Sequence, residues 1–227
     1  MGLRIVLMGA PGAGKGTQAR RISECRRVPH ISTGDIFRRH IESSTEIGSC
    51  VSPYLANGQL APDGMALTVV ADRLKEPDCI GGYVLDGFPR SPEQARCFDE
   101  ILDQRGEKLT HVINIVTDDE EIVERLGARR VCPQCGAVYN RKSNAPRVEN
   151  SCDSSQCNGV RLIQRADDSE DIIRDRLRLY HEITEPVLEF YRDSGILHHV
   201  GGKGSTPDQI FARIQSLIGG CVAETHP

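Results

Sequence analysis

The chain has 227 residues, with 28 Lys plus Arg against 32 Asp plus Glu and a formal charge of −4. At 38% apolar it can bury a full core as one large domain, or as one domain with insertions, and collagen-like, disordered and mucin-like readings are excluded. The slightly acidic balance argues against a protein that coats nucleic acid, and no run nears the roughly 18 to 20 apolar residues of a membrane span.

In chain order, Leu3 to Met8 reads as a short buried strand. Its apolar part is shorter than a secretory signal requires and Lys15 follows, so Met1 to Ala10 is read as strand and the protein as cytoplasmic. A loop rich in Gly leads to a helix over Lys15 to Arg27. Residues 32–61 are more polar, hold no convincing strand and read as a small helical insertion. Further helices are predicted over Pro62 to Lys75, Pro92 to Arg105, Asp118 to Ala128, Asp168 to Ser194 and Thr206 to Ile218. Between them lie apolar runs at Tyr83 to Leu85, His111 to Val116 and Ile196 to Val200, rich in residues that favour strand. Ile173, Leu177, Tyr180, Val187 and Tyr191 form a core stripe on the longest helix, which Pro186 should kink or split. Strands alternating with helices predict an α/β domain with a parallel sheet.

Gly9-Ala-Pro-Gly-Ala-Gly-Lys15-Gly16-Thr17 follows a strand and opens a helix, the context a phosphate-binding loop requires. Glycines let several amide N–H groups face one phosphate, the helix start adds positive potential, and the Lys15 ammonium reaches the outer phosphates. The strict pattern has Ser or Thr directly after the lysine, whereas here it is Gly16. Mg²⁺ is therefore expected on phosphate oxygens and waters, with Asp86, at the end of a strand, as the carboxylate holding those waters.

Four of the nine cysteines crowd into the proline-bearing segment 130–166, as Cys132-Pro-Gln-Cys135 and Cys152-Asp-Ser-Ser-Gln-Cys157. Two close pairs so separated have the pattern of a tetrahedral, structural zinc site. The second pair is wider than usual, which leaves Asp153 as an alternative to Cys157.

Gly9 to Thr17, Ser32-Thr33-Gly34-Asp35, Leu85-Asp86-Gly87-Phe88-Pro89-Arg90, Arg129-Arg130-Val131, Gln164 to Asp168 and the later Arg176 together resemble the adenylate kinase family, in its form with a separate lid insertion. The motifs come in the family's order from position 3 to about 218. The resemblance implies a P-loop nucleoside triphosphate hydrolase-like core, a doubly wound parallel sheet of five strands, made of residues 1–31, 62–127 and 167–227. It implies an AMP-binding domain at 32–61 and a zinc-held lid at 128–166. It implies reversible transfer of a phosphoryl group from Mg·ATP to AMP, giving two ADP, by a monomer with no nucleic-acid or membrane partner.

Carried over by motif, Gly12, Ala13, Gly14, Lys15, Gly16 and Thr17 would wrap the ATP phosphates, with Arg125, Arg129, Val138, Tyr139 and Gly204 also on the ATP side. Thr33, Arg38, Gln59, Leu60, Ala61, Gly87, Phe88, Pro89, Arg90 and Gln94 would hold AMP, Thr33 and Gln94 reading its base. Arg165 and Arg176 would bridge the two substrates, and Cys132, Cys135, Cys152 and Cys157 would hold zinc. Phosphoryl transfer needs alignment, charge compensation and exclusion of water rather than a nucleophilic side chain, which suits Lys15 and these arginines. Two other readings remain: a kinase acting on UMP, CMP or GMP, and a zinc-ribbon nucleic-acid module on a nucleotide-binding scaffold. The second fits poorly with 4% aromatics, no Trp and net negative charge.

Overall fold

The computed structural model describes residues 2–157 and 159–220; Cys221 and the polar tail after it lie outside the described residues. Five strands, β1 (Leu3–Met8), β2 (His30–Ser32), β3 (Gly82–Asp86), β4 (His111–Val116) and β7 (Leu197–Gly201), form one sheet in the order β2-β3-β1-β4-β7. Every pairing in it is parallel. The central strand is β1, where Ile5 stands opposite Val84 on one side and His111 on the other. Successive side chains of a strand point to opposite faces. Val6 and Met8 accordingly pack with Leu74, Phe98 and Tyr191, whereas Ile5 and Leu7 pack with Ala19, Ile22 and Ile214. Helices α4 (Asp63–Arg73), α5 (Pro92–Gln104) and α8 (Val187–Arg192) supply the first layer; α1 (Lys15–Arg26) and α9 (Pro207–Ile218) supply the second. The expected doubly wound α/β sheet is what the chain forms.

One local feature differs from the sequence reading and another refines it. The three-residue edge strand β2 has no apolar run of its own and is set by pairing, Ile31 against Leu85 and Ser32 against Asp86. The long helical stretch over 168–194 is split ahead of Pro186, as expected, into α7 (Glu170–Leu179), a wide turn over Tyr180–Thr184, and α8. Pro186 has no N–H to continue the ladder, and the chain slips by one residue, with Glu185 N–H donating to the Tyr180 carbonyl at 2.8 Å.

Segment 32–61 carries α2 (Thr33–Glu42) and α3 (Glu46–Ala56), started by side-chain caps from Ser32 and Thr45. After α6 (Asp119–Gly127) the chain leaves the sheet through the antiparallel pair β5 (Arg129–Val131) and β6 (Val138–Asn140). Among the described residues that excursion gathers Cys132, Tyr139, Cys152, Cys157 and Leu162 into a small core of its own, with Ala137 and Val160 against them.

Candidate active site

The carboxyl ends of β1, β2 and β3 bring three sequence segments together, the place where open parallel sheets bind ligands. Beyond β1 the loop turns on Gly12 and Gly14, both with left-handed backbone (φ 87° and 101°). The first intrahelical bond of α1 runs from Gln18 N–H to the Gly14 carbonyl at 3.1 Å. The N–H groups of Lys15, Gly16 and Thr17 therefore have no acceptor within the helix, which makes this end an anion cradle. The Lys15 ammonium folds back over the loop onto the carbonyls of Gly9 (2.7 Å) and Ala10 (2.9 Å). Desolvation pushes it down to about 8; the Asp86 carboxylate opposes the shift, and the charges of Arg90, Arg176 and Arg129 add to it.

Asp86 stands close to the position after the lysine. A Cβ placed on Gly16 would lie 3.3 Å from Asp86 Oδ2, closer than side-chain carbons ordinarily sit. The serine or threonine of the strict pattern would crowd the carboxylate that faces the phosphate loop from β3. His30 lies behind it, Nε2 3.6 Å from the same oxygen.

Guanidinium groups from separate segments gather around this point. Arg90 is pushed down to about 10 by burial and by Arg176 and Arg38, and Arg165 to about 10 by burial and by Arg38 and Arg129. Arg176 is lowered too, by burial and by Arg129 and Arg38, against the pull of Asp167 and Asp168. Fixed carboxylates hold this repelling set apart. Arg129 makes a two-pronged pair with fully buried Asp168 at 2.8 and 2.5 Å. Arg176 pairs with Asp167 at 2.8 Å, and Arg38 with Asp35. Among the described residues Arg165 has no such partner.

Thr33, Arg38, Gln59, Leu60, Ala61, Gly87, Arg90, Gln94 and Arg176 line one cavity of about 80 Å³. The Gly87 carbonyl ties two of them, accepting from Thr33 Oγ1 at 2.9 Å and Arg90 Nε at 2.8 Å. Phe88 turns away into the core, edge-on to Phe98 with ring centroids 5.2 Å apart, so it and Pro89 shape the turn rather than the cavity wall. Sequence reasoning gave no site role to Gly34, Phe37, Leu55, Gly58, Ala66 and Asp167 on that wall. Of these, Gly34 and Asp167 lie inside quoted motifs and Phe37 stands next to Arg38 on α2, whereas Leu55, Gly58 and Ala66 carry no signal of their own.

On the other side Arg125 leans from α6 on the Gly12 carbonyl at 3.3 Å and pairs with Glu121. Glu121 also accepts from Gly204 N–H at 3.2 Å, which puts the loop after β7 beside Arg125. Val138 is exposed on β6, but the Tyr139 ring is buried in the small excursion, its hydroxyl 3.5 Å from Cys152 Sγ and accepting from Asp153 N–H at 2.8 Å.

In that excursion the four cysteine sulfurs lie within 4.8 Å of one another, with Cys132 to Cys157 and Cys135 to Cys152 both at 3.7 Å. A disulfide needs ~2.05 Å between sulfurs. A tetrahedron with metal–sulfur bonds of ~2.3 Å has edges of ~3.8 Å, so the four thiols fit a tetrahedral thiophilic metal. The Asp153 carboxylate is engaged elsewhere, accepting from Arg147 N–H at 2.9 Å.

Fold and phosphate loop together define a P-loop nucleotide kinase. The family model for adenylate kinase matches residues 7–196. Curated adenylate kinases of Acetivibrio thermocellus and Lachnospira eligens are 48% and 44% identical over 217 residues, covering 96% of this chain and 99% and 100% of theirs. That of Symbiobacterium thermophilum is 47% identical over 95% of this chain and 98% of its own. The chain belongs to the adenylate kinase family.

Proposed function

We propose that the cationic set around the phosphate loop divides the work of the family's reaction, the reversible transfer of a phosphoryl group from Mg·ATP to AMP to give two ADP. The loop amides of Gly12 to Thr17 and Lys15 take the β- and γ-phosphates, and Arg125 and the Gly204 loop flank the ATP base. Val138 and Tyr139 offer backbone to it, since the Tyr139 side chain is spent inside the excursion. Asp86 orders waters of the Mg²⁺ that arrives with ATP. AMP occupies the cavity below α2 and α3, its phosphate on Arg38 and Arg90 and its base toward Gln94. Arg129, Arg165 and Arg176 lie across the path between the two nucleotides.

An AMP phosphate oxygen then forms a bond to the γ-phosphorus as the bond from that phosphorus to the β-bridging oxygen breaks, leaving ADP on both sides. Neither step needs a side-chain base, because the acceptor phosphate is already anionic. The arginines compensate the charge that spreads over the transferring group. Residues 32–61 and 128–166, either side of the cleft, close over the substrates and keep water from taking the phosphoryl group. Zinc on the four cysteines would be structural, replacing the core that the excursion is too small to build. We take the enzyme to be cytoplasmic and to act as a monomer without nucleic-acid or membrane partners. No helix among the described residues is long and apolar enough to cross a membrane.

The observation that carries this reading is that Arg38, Arg90 and Arg176, drawn from separate segments, line one cavity, with Arg129 joined to Arg176 through Asp168 and the Lys15 ammonium folded over the adjoining phosphate loop. The comparisons do not favour the UMP, CMP or GMP kinase or the zinc-ribbon alternative. A coupled assay of ADP formation from ATP with AMP, UMP, CMP and GMP in turn tests the acceptor. Turnover should be fastest with AMP, and equal or faster turnover with another monophosphate overturns the assignment.

A further inference from the structure

Asp63 has no role in the scheme above, yet its carboxylate is turned inward. It opens α4 directly after the Gln59-Leu60-Ala61 rim. Its Oδ1 accepts from Gln94 Nε2 at 2.7 Å and its Oδ2 from Ser91 Oγ at 2.7 Å. The opposite end of the same amide, Gln94 Oε1, accepts from the backbone N–H of Arg90 at 2.7 Å. Ser91, which caps α5, closes the ring by accepting from Gln94 N–H at 3.1 Å. Gln94 is 2% exposed and lines the acceptor cavity.

A primary amide turned through half a revolution exchanges donor and acceptor with almost no change in shape, so an untethered glutamine can present either pattern to a base. Here the exchange is blocked at both ends. The Arg90 N–H can only donate, and a carboxylate can only accept. The flipped amide would set N–H against N–H and oxygen against oxygen, around a side chain that is itself 2% exposed. Held this way, Gln94 keeps one N–H and one carbonyl lone pair for the cavity. The carbonyl end complements an exocyclic amine and the N–H end a ring nitrogen bearing a lone pair, which is the edge of a 6-aminopurine. A 6-oxopurine presents the two in reverse.

We propose that Asp63 is a specificity-positioning residue: by fixing the Gln94 amide it makes the acceptor site select a 6-aminopurine monophosphate over its 6-oxo counterpart. This rests on Gln94 being the residue that reads the acceptor base. Asp63 does not touch the substrate; it acts by denying Gln94 its other rotamer. The selection lies in opposed polar groups rather than in pocket size, and such selection is steep.

AMP and IMP differ only in the position-6 amine or oxygen and the N1 proton that goes with it, so the ratio of their kcat/KM values reads the amide's orientation. We would measure that ratio at saturating Mg·ATP for the unsubstituted enzyme, Asp63→Asn, Asp63→Ala and Gln94→Leu. Both Asp63 variants should lower the AMP-to-IMP ratio roughly tenfold or more, mainly through KM for the acceptor, with KM for ATP unchanged. A purely structural Asp63 would lower the melting temperature and slow both acceptors equally; an unchanged ratio in whichever Asp63 variants fold overturns the inference. Gln94→Leu separates the two layers. If it leaves the ratio unchanged, Gln94 is not the base reader and the underlying reading fails. If it collapses the ratio while the Asp63 variants do not, only the role of Asp63 falls.

Discussion

Lys15 and Arg165 place charge in the cleft at different cost to the folded chain. The Lys15 ammonium, normally titrating near 10.5, is pushed down to about 8 by desolvation. Between those two values the unfolded chain holds a proton that the folded chain has lost, so stability rises with pH there, and below about 8 the folded protein carries the full penalty of a desolvated charge. ATP phosphates beside the ammonium would hold its proton on. The pH profile of kcat/KM for Mg·ATP reports the free enzyme and should fall above about pH 8; that of kcat reports the occupied site and should fall only at higher pH. Coincident alkaline limbs, or a kcat/KM flat to pH 10, would remove Lys15 from the phosphate site. Arg165 and Arg129 make a sharper contrast. Arg165 has no fixed carboxylate and is opposed by Arg38 and Arg129, so Arg165→Ala should leave the melting temperature unchanged or slightly higher while cutting kcat/KM by about 10²-fold or more. Arg129 is 16% exposed and neutralises a fully buried Asp168. Arg129→Ala should cost about 3 kcal/mol of stability as well as activity, because it leaves that carboxylate only the longer 3.9 Å pair with Arg176. Calorimetry and steady-state kinetics on the two variants check both halves.

Elements show where periodicity informs and where it is silent. The apolar runs of β1, β3 and β4 were legible because a strand covered on both faces must be largely apolar; β7, at the sheet edge and only partly buried, was legible from Ile196, Leu197 and Val200 despite His198 and His199. The three residues of β2 were not, because pairing with β3 rather than their own composition makes them a strand. Helix α9 announced its start in Thr206-Pro207-Asp208-Gln209, and the reciprocal cap is present, Gln209 N–H donating to Thr206 Oγ1 at 3.3 Å and Thr206 N–H to Gln209 Oε1 at 2.9 Å. The wide turn at Tyr180–Thr184 was readable only as a break near Pro186; its hydrogen-bond register depends on how α7 and α8 pack. In the excursion, cysteine spacing told more than any apolar pattern, yet it left the fourth ligand open. Position supports Cys157: its Sγ stands 3.7 Å from Cys132 Sγ, while Asp153 is tied to the Arg147 backbone. Protein purified without chelator should carry about one zinc per chain, Asp153→Asn should retain it, and Cys157→Ser should lose it and melt at lower temperature. Equal zinc in the two variants would refute the four-cysteine site.

Over the whole molecule the charge is −4, while one cleft concentrates Lys15 and at least five arginines. Arg90, Arg129 and Arg165 were legible inside short motifs, and Arg38 and Arg176 only through the family resemblance, because each guanidinium is a single residue on a separate segment. The carboxylates that keep them from flying apart, Asp35, Asp167 and Asp168, and the Glu121 that joins Arg125 to the Gly204 loop were not assigned a role, since an acidic residue beside a basic one looks the same on any solvated surface. Arg90, Arg165 and Arg176 are lowered first by burial and then by one another's charge, so the cluster is both desolvated and self-repelling when nothing lies between its members. A small polyanion should therefore stabilise the fold by relieving that repulsion as well as by binding. Inorganic tripolyphosphate at about one hundred times its dissociation constant should add about 2.7 kcal/mol, or roughly 5 to 10 °C in melting temperature for a chain of this size. The gain should shrink as salt rises, and it should be smaller at the same tripolyphosphate concentration in Arg90→Ala and Arg176→Ala, which remove part of the clasp. Sodium sulfate at matched ionic strength controls for general salt effects on burial. A melting temperature that tripolyphosphate fails to move, or moves equally in all three proteins, would mean that these guanidinium groups do not act on a common ligand, and the shared site proposed for the two nucleotides would have to be abandoned.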